Sequence, residues 1–353
     1  MKMGSNRITS IEALRVIAMF MIVVMHYVFY GLKMNPIHEY YDMSSFRGCL
    51  DYLTMEALYI LSGTAVNCYV MITGYFLIDK LTYRWGGVIK TWFLALFYSV
   101  VFLIIAFLLK FDVEVSDIIQ AMLPVHQSAY WFVTSYIGLL LFAPILSRAA
   151  ASFSKRSYQI VLVVLFIVTF QFLYGKIYGG FKSIIFFGFL FLIAGYIRLH
   201  GIPRWIYNHK YLCFVLIWLM MLFFSTGINL IRGGRGNFQL ISSSYDGPLL
   251  FLSLIIFIIF ISPNKECRAL EWLSKLAPYT FGVYLVHTNK FVNDWIWGFI
   301  PLSFNYPIIL HCLLSCTILF VVCVLIDYMR DKIFKVLRID YLLKNISARI
   351  PQL

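Results

Sequence analysis

Of 353 residues, 61% are hydrophobic and only 13% are charged, whereas soluble domains carry about a quarter charged residues. A water-soluble globular enzyme and a disordered chain are both excluded, and the composition is that of an integral membrane protein. A formal net charge of +13 does not point to nucleic acid, because the basic residues fall in short clusters between apolar runs, as the positive-inside rule distributes them.

Apolar runs of membrane length lie near 11–32, 57–78, 88–109, 130–149, 159–175, 183–199, 211–230, 247–262, 277–291 and 305–327. About 20 apolar residues span the hydrocarbon core as a helix, so the runs predict an all-α polytopic protein with about ten transmembrane helices. Charge orients them. Counting alternate connections from the N-terminus, one side collects Lys2, Arg7 and Arg15, the 80–90 turn, and the clusters near 148–156, 198–210 and 265–275. The basic tail after 327 falls on the same side, which predicts both termini in the cytoplasm. No A-x-A cleavage site follows the first run, so it reads as an uncleaved anchor. Residues 1–327 form one transmembrane domain. Residues 328–353 read as a basic amphipathic tail on the inner membrane surface, with Ile333, Phe334, Leu337, Tyr341 and Leu342 on its apolar face.

The first run, IEALRVIAMFMIVVMHYVFYGL, carries Glu12, Arg15 and His26. Ionisable groups in a membrane segment are costly and therefore functional candidates. Eleven positions separate Arg15 from His26, nearly three whole turns, which puts them on one face about 16 Å apart along the axis. Asn67 lies mid-span in the second run and needs a partner, helix or ligand. Outside loops 33–56 and 110–129 are acidic and aromatic, with Glu39, Asp42, Asp51 and Glu56 in one and Asp112, Glu114, Asp117 and His126 in the other. Such loops suit a sugar-handling face or simple solvation equally. The seven cysteines show neither a disulfide framework nor metal-ligand spacing, and no metal is expected.

Four patches recur as a set: Glu12-Ala-Leu-Arg15 with His26 beyond it, Asn67 to Phe76 with Thr73-Gly74-Tyr75, Tyr130-Trp-Phe-Val-Thr-Ser-Tyr136, and Tyr279 to His287 with Tyr284-Leu-Val-His287. Together, in this order over nearly the whole chain, they resemble the acyltransferase 3 family of membrane O-acyltransferases, which modify bacterial surface polysaccharides. That resemblance implies a multi-pass protein of the bacterial inner membrane. It would move an acetyl group from cytoplasmic acetyl-CoA to a hydroxyl of a saccharide acceptor, either a cell-surface polysaccharide or its lipid-linked precursor.

Roles follow from that reaction. Coenzyme phosphates need cations at the inner face, where Arg15, Lys80, Arg84 and Lys90 stand; the last three occupy the place of an Arg-x-x-Arg pair common in the family. His26 is the candidate general base, and Glu12 pairs with Arg15 to orient the donor. Asn67, Trp131, Tyr136 and Tyr284 are candidate acceptor-pocket residues, and His287 a second catalytic histidine that orients the acceptor or stabilises the oxyanion. Trp131, Tyr136 and Tyr284 fit interfacial aromatic belts as well. An acyl-enzyme relay and direct transfer both remain open, and so does a succinyl donor. A secondary transporter with an intramembrane Arg/His path is the competing class, although no paired halves with broken helices are visible.

Overall fold

The computed structural model describes residues 9–32, 44–80, 85–127, 129–174, 181–231, 247–262, 267–299 and 307–351. Every element among them is a helix. In chain order they are α1 (Thr9–His26), a π-helical turn (Tyr27–Gly31), α2 (Phe46–Gly63), α3 (Ala65–Leu77), α4 (Gly86–Leu108), α5 (Val115–Met122), α6 (Trp131–Ser152), α7 (Lys155–Tyr174) and α8 (Phe181–His200). There follow α9 (Arg204–Ile231), α10 (Gly247–Ile261), α11 (Arg268–Ser274), a 3₁₀ turn (Ala277–Tyr279), α12 (Thr280–His287), α13 (Lys290–Phe299), α14 (Ile308–Val336) and α15 (Ile339–Arg349).

Seven segments among the described residues are long and apolar enough to cross a membrane: Thr9–Gly31, Phe46–Leu77, Gly86–Leu108, Trp131–Ser152, Ser183–His200, Arg204–Ile231 and Ile308–Val336. Gly247–Ile261 is apolar but shorter. The chain is thus an all-α, multi-pass membrane protein. Backbone amides inside hydrocarbon must be bonded within their own segment, which forces these runs into helices.

Expectation and structure part at the second and ninth runs. The second span begins well before the apolar run, at Phe46, where Ser45 caps the helix by accepting from Gly48 N at 3.0 Å. Glu56, placed by sequence in an outer loop, is therefore a fully buried helical residue, bonded by Ser225 Oγ. The ninth run, 277–291, is no continuous span. It breaks after His287, because Asn289 Oδ1 accepts from Phe291 N at 3.1 Å and so caps the next helix, α13.

Two compact units make up the chain. The first comprises residues up to Ile72, Ile202–Phe281 and Trp297–Val322; the second comprises Thr73–Gly201, Gly282–Ile296 and Cys323–Leu353. In the first, α1 packs against α2, α10, α11 and the 3₁₀ turn, and α9 packs against α2 and α10. Polar pins hold these helices: Asn229 Nδ2 donates to Tyr52 Oη at 2.9 Å, Trp218 Nε1 to Ala57 O at 3.1 Å, and Tyr69 Oη meets Thr280 Oγ1 at 2.8 Å.

The second unit is built on α6 against α8, α7 against α8, and α4 against α5, α6 and α15. Gly74 of α3 lets α8 come close as well: a Cβ there would stand 2.5 Å from the Phe191 carbonyl oxygen. The last membrane helix continues past residue 327 to Val336, burying Phe334 against Phe93 and Phe97. Arg338, in the left-handed region at φ 55°, then turns the chain into α15.

Candidate functional site

In the first unit the site is built on α1. Glu12 is buried and Arg15 half-buried, and their side chains form an ion pair with Nη1 3.1 Å from Oε2. His26 is the last α-helical residue, 9% exposed, with its ring 5.4 Å from that of Tyr30. Immediately after it the backbone widens into the π turn, a feature that concentrates at functional sites.

Five residues that the sequence reading did not nominate build or flank that turn: Tyr27, Tyr30 and Gly31 within it, Trp297 and His311 beside it. Tyr27 Oη and His311 Nδ1 lie 2.8 Å apart, a hydrogen bond whose donor follows the imidazole tautomer. Trp297 stacks on Tyr30 at 6.5 Å and meets Tyr27 edge-on at 6.2 Å. Gly31 makes room for that indole, since a Cβ there would come within 3.2 Å of it. The rule that marks His26 also marks His311, an ionisable group inside an apolar run.

Asn67, in the same unit, is fully buried and donates to Ser253 Oγ at 3.1 Å, while Ser253 Oγ donates to Leu249 O. It joins α3 to α10.

The second unit holds the Tyr130–Tyr136 patch and the later part of two others, from Thr73 and from Gly282 onward. Thr73 Oγ1 and Tyr136 Oη are hydrogen-bonded at 2.9 Å. Tyr136 stacks on Phe132 at 5.5 Å, Phe132 meets Tyr284 edge-on at 5.5 Å, and Tyr284 stands perpendicular to His287 at 6.2 Å. His287 is fully buried. Its Nδ1–H donates to Val283 O at 2.6 Å, which assigns the second ring nitrogen, Nε2, as the basic one. Trp131 points the other way: it is 44% exposed and leans on Phe187, so Phe132 holds the inward position of that patch.

Beside Arg15 of the first unit, the described basic candidates Lys80 and Lys90 belong to the second. Lys80 is exposed, 3.8 Å from Asp79, and Arg198 reaches the same carboxylate at 3.3 Å while its guanidinium lies 5.0 Å from the Tyr75 ring centroid. Arg198 belongs to this patch although the sequence reading nominated only the 80–90 turn. Lys90 is paired with Asp340 of α15 at 3.2 Å. Arg84 lies outside the described residues.

At the 110–129 connection, Lys290 Nζ donates to Asp117 Oδ1 at 2.5 Å and Asn289 Nδ2 to Tyr130 Oη at 2.8 Å. The Lys290 ammonium holds the Asp117 carboxyl below its ordinary value, and Asp117 in turn raises Lys290. Among the described residues, no group of three or more His, Cys, Asp or Glu side chains is placed to hold a metal ion.

A partly buried acid–arginine pair and a histidine on one membrane helix of the first unit, and a buried histidine backed by aromatic rings in the second, are each groups suited to activating or orienting a hydroxyl. No curated protein and no solved structure matches the chain. The family model of the acyltransferase domain known as acyltransferase 3 matches residues 8–328, nearly its full length, and the chain belongs to that family.

Proposed function

We propose that this acyltransferase moves an acetyl group from acetyl-CoA, arriving at the cytoplasmic face of a bacterial inner membrane, to a hydroxyl of a cell-surface polysaccharide or its lipid-linked precursor. The observation that carries the reading is the first helix of a family acyltransferase: an ion-paired Arg15 near one end and a buried His26 at the other.

In this reading Arg15, Lys80, Arg84 and Lys90 neutralise the coenzyme phosphates. Lys90 exchanges Asp340 for a phosphate, an inexpensive swap because an exposed pair contributes about 1 kcal/mol or less. His26 takes the proton of the acceptor hydroxyl as its oxygen attacks the thioester carbonyl. The tetrahedral intermediate then collapses to the ester, breaking the C–S bond, and the imidazolium returns its proton to the departing thiolate, giving free coenzyme A. In the second unit Tyr136 and Tyr284, linked through Phe132, serve the acceptor side and His287 offers Nε2 to an acceptor hydroxyl; in the first unit Asn67 holds α3 to α10.

The test is transfer of labelled acetyl from acetyl-CoA into surface glycan by the purified protein in proteoliposomes. His26→Ala is expected to lose about 10²- to 10⁴-fold in rate, the usual worth of a general base, with an unchanged thermal transition. Wild-type rates in a normally folded His26→Ala protein overturn the assignment.

A further inference from the structure

Four acidic side chains are buried among the described residues, and three of them face a cation. Glu12 lies 3.1 Å from Arg15, Asp117 2.5 Å from Lys290 and Asp327 2.7 Å from Arg330. The fourth, Glu56, is fully buried inside the span Phe46–Leu77, and among the described residues no Lys, Arg or His comes within ion-pair distance of it. Its Oε1 accepts from Ser225 Oγ, while its Oε2 has no hydrogen-bond partner.

The surroundings supply oxygen but no positive charge. Tyr52 is set against Asn229 and Glu56 against Ser225, so α2 and α9 run antiparallel and the two rungs stand one turn, about 6 Å, apart. Tyr52, Ser225 and Asn229 are each 1% exposed. Asn229 gives Nδ2 to Tyr52 Oη at 2.9 Å, which leaves its Oδ1 as a second buried acceptor without a donor. Charges on the same and neighbouring helices are engaged elsewhere. Arg47 of α2 lies 3.8 Å from Asp51, and on α1 Glu12 and Arg15 hold each other while His26 packs on Tyr30. Lys210, the last cation of α9, lies over the Tyr207 ring at 4.0 Å, about 22 Å along the helix from Ser225. The next helix, α10, carries no ionisable side chain.

Two acceptor oxygens on adjacent rungs, neither with a donor, share a site whose only formal charge is one carboxylate. A bare carboxylate within hydrocarbon is among the costliest groups a membrane helix can hold. One carboxylate balances a single positive charge, which selects a monovalent cation. Both oxygens are closed to water, so that charge enters without a hydration shell. A proton meets the condition by giving Glu56 an O–H to donate. A bare sodium ion meets it through carboxylate, amide and hydroxyl oxygens, the ligands that hard cations take.

We propose that Glu56, Ser225 and Asn229, with Tyr52, form a binding site for one small monovalent cation, a proton or a sodium ion, that ties α2 to α9. The site is independent of the reaction proposed above. The test uses the full-length protein in detergent at neutral pH, with infrared spectra and thermal transitions of wild type, Glu56→Gln and Glu56→Asp, each in sodium chloride and in choline chloride. A bound proton gives wild type a carboxylic-acid C=O band in both salts. That band moves in D₂O, vanishes in Glu56→Gln and persists, displaced, in Glu56→Asp. A bound sodium ion gives carboxylate absorption instead, and a tenfold rise in sodium above its Kd multiplies the folding equilibrium constant of wild type about tenfold, a response that Glu56→Gln lacks. Either pattern supports the site and identifies its occupant. Gln still accepts from Ser225 and is uncharged, and Glu56→Asp keeps the acid, so the assignment does not hang on one variant folding. A carboxylate at Glu56 together with stability indifferent to sodium means an unneutralised acid and overturns the proposal.

Discussion

Two helices of this protein carry the same local pattern, an acid followed three residues later by arginine, and they use it differently. In the first unit, Glu12 and Arg15 touch through one guanidinium nitrogen, and Arg15 keeps 28% of its side chain exposed. In the second, Asp327 and Arg330 form a two-pronged pair at 3.0 and 2.7 Å, with side chains only 1% and 7% exposed. Tyr98 Oη adds a third bond to Asp327 at 2.7 Å, and Gly282 lets α12 close over the carboxylate, since a Cβ there would stand 2.1 Å from Asp327 Cγ. A pair sealed on every side is a staple. A pair left partly open keeps hydrogen-bonding capacity for something that arrives.

The largest effect is expected at the sealed pair. Asp327→Ala leaves a buried guanidinium with only the distant Asp331 carboxylate, 3.8 Å away, which costs about 3–5 kcal/mol, and denaturation of the purified protein in detergent should register that loss. Adding Arg330→Met to the same chain should recover much of it, because an apolar side chain fills the site without an orphaned charge. A stable Asp327→Ala protein would erase the contrast between the two pairs.

The open pair should respond in the opposite sense. Arg15→Gln keeps an amide donor for the buried Glu12 carboxylate and is expected to cost clearly less stability than Asp327→Ala. On the proposed reaction it should raise the acetyl-CoA KM about 10- to 100-fold, the worth of a charge-assisted hydrogen bond to phosphate. A thermal transition lowered as far as in Asp327→Ala, with KM unmoved, would make the first pair a staple too.

The contrast also explains what the amino-acid sequence could and could not reveal. Glu12, Arg15 and His26 were legible because a charge inside an apolar run has no local explanation. Asp327 and Arg330 follow the same rule but sit where the apolar run ends, so Arg330 read as one more basic residue of a cytoplasmic tail. Only Tyr98, 229 positions away, and the bare Cα of Gly282 reveal its burial. Glu56 was assigned to a loop for a related reason: charge usually ends a span, but here Ser225, 169 residues downstream, supplies a partner inside. The break after His287 was written locally in Thr288 and Asn289, but an average over membrane length blurs two polar residues into an apolar stretch. The aromatic relay from Tyr136 through Phe132 to Tyr284 depends on which side each ring faces. Sequence named Trp131 beside Phe132, and only packing distinguishes them.

A third ion pair, Asp117 with Lys290, lies between these extremes and predicts the smallest effect. Asp117 is 5% exposed, but Lys290 is 59% exposed, so the pair resembles a surface contact on one side and a buried one on the other. The hydrogen bond from Lys290 holds the Asp117 carboxyl below its ordinary value of 3.8. A depressed carboxyl contributes stability at all pH above that ordinary value and loses it as the pH falls through the lower, folded one. Lys290, raised above its ordinary 10.5 by the same bond, contributes below that value and loses its share as the pH rises through the folded one. Between the two limits the contribution is flat. Thermal transitions of wild type and Asp117→Asn, followed from neutral pH downward, should therefore stay apart by a constant small interval and converge only below 3.8. Convergence already above 3.8 would mean that Lys290 turns to solvent and leaves Asp117 to its backbone bond with Glu114.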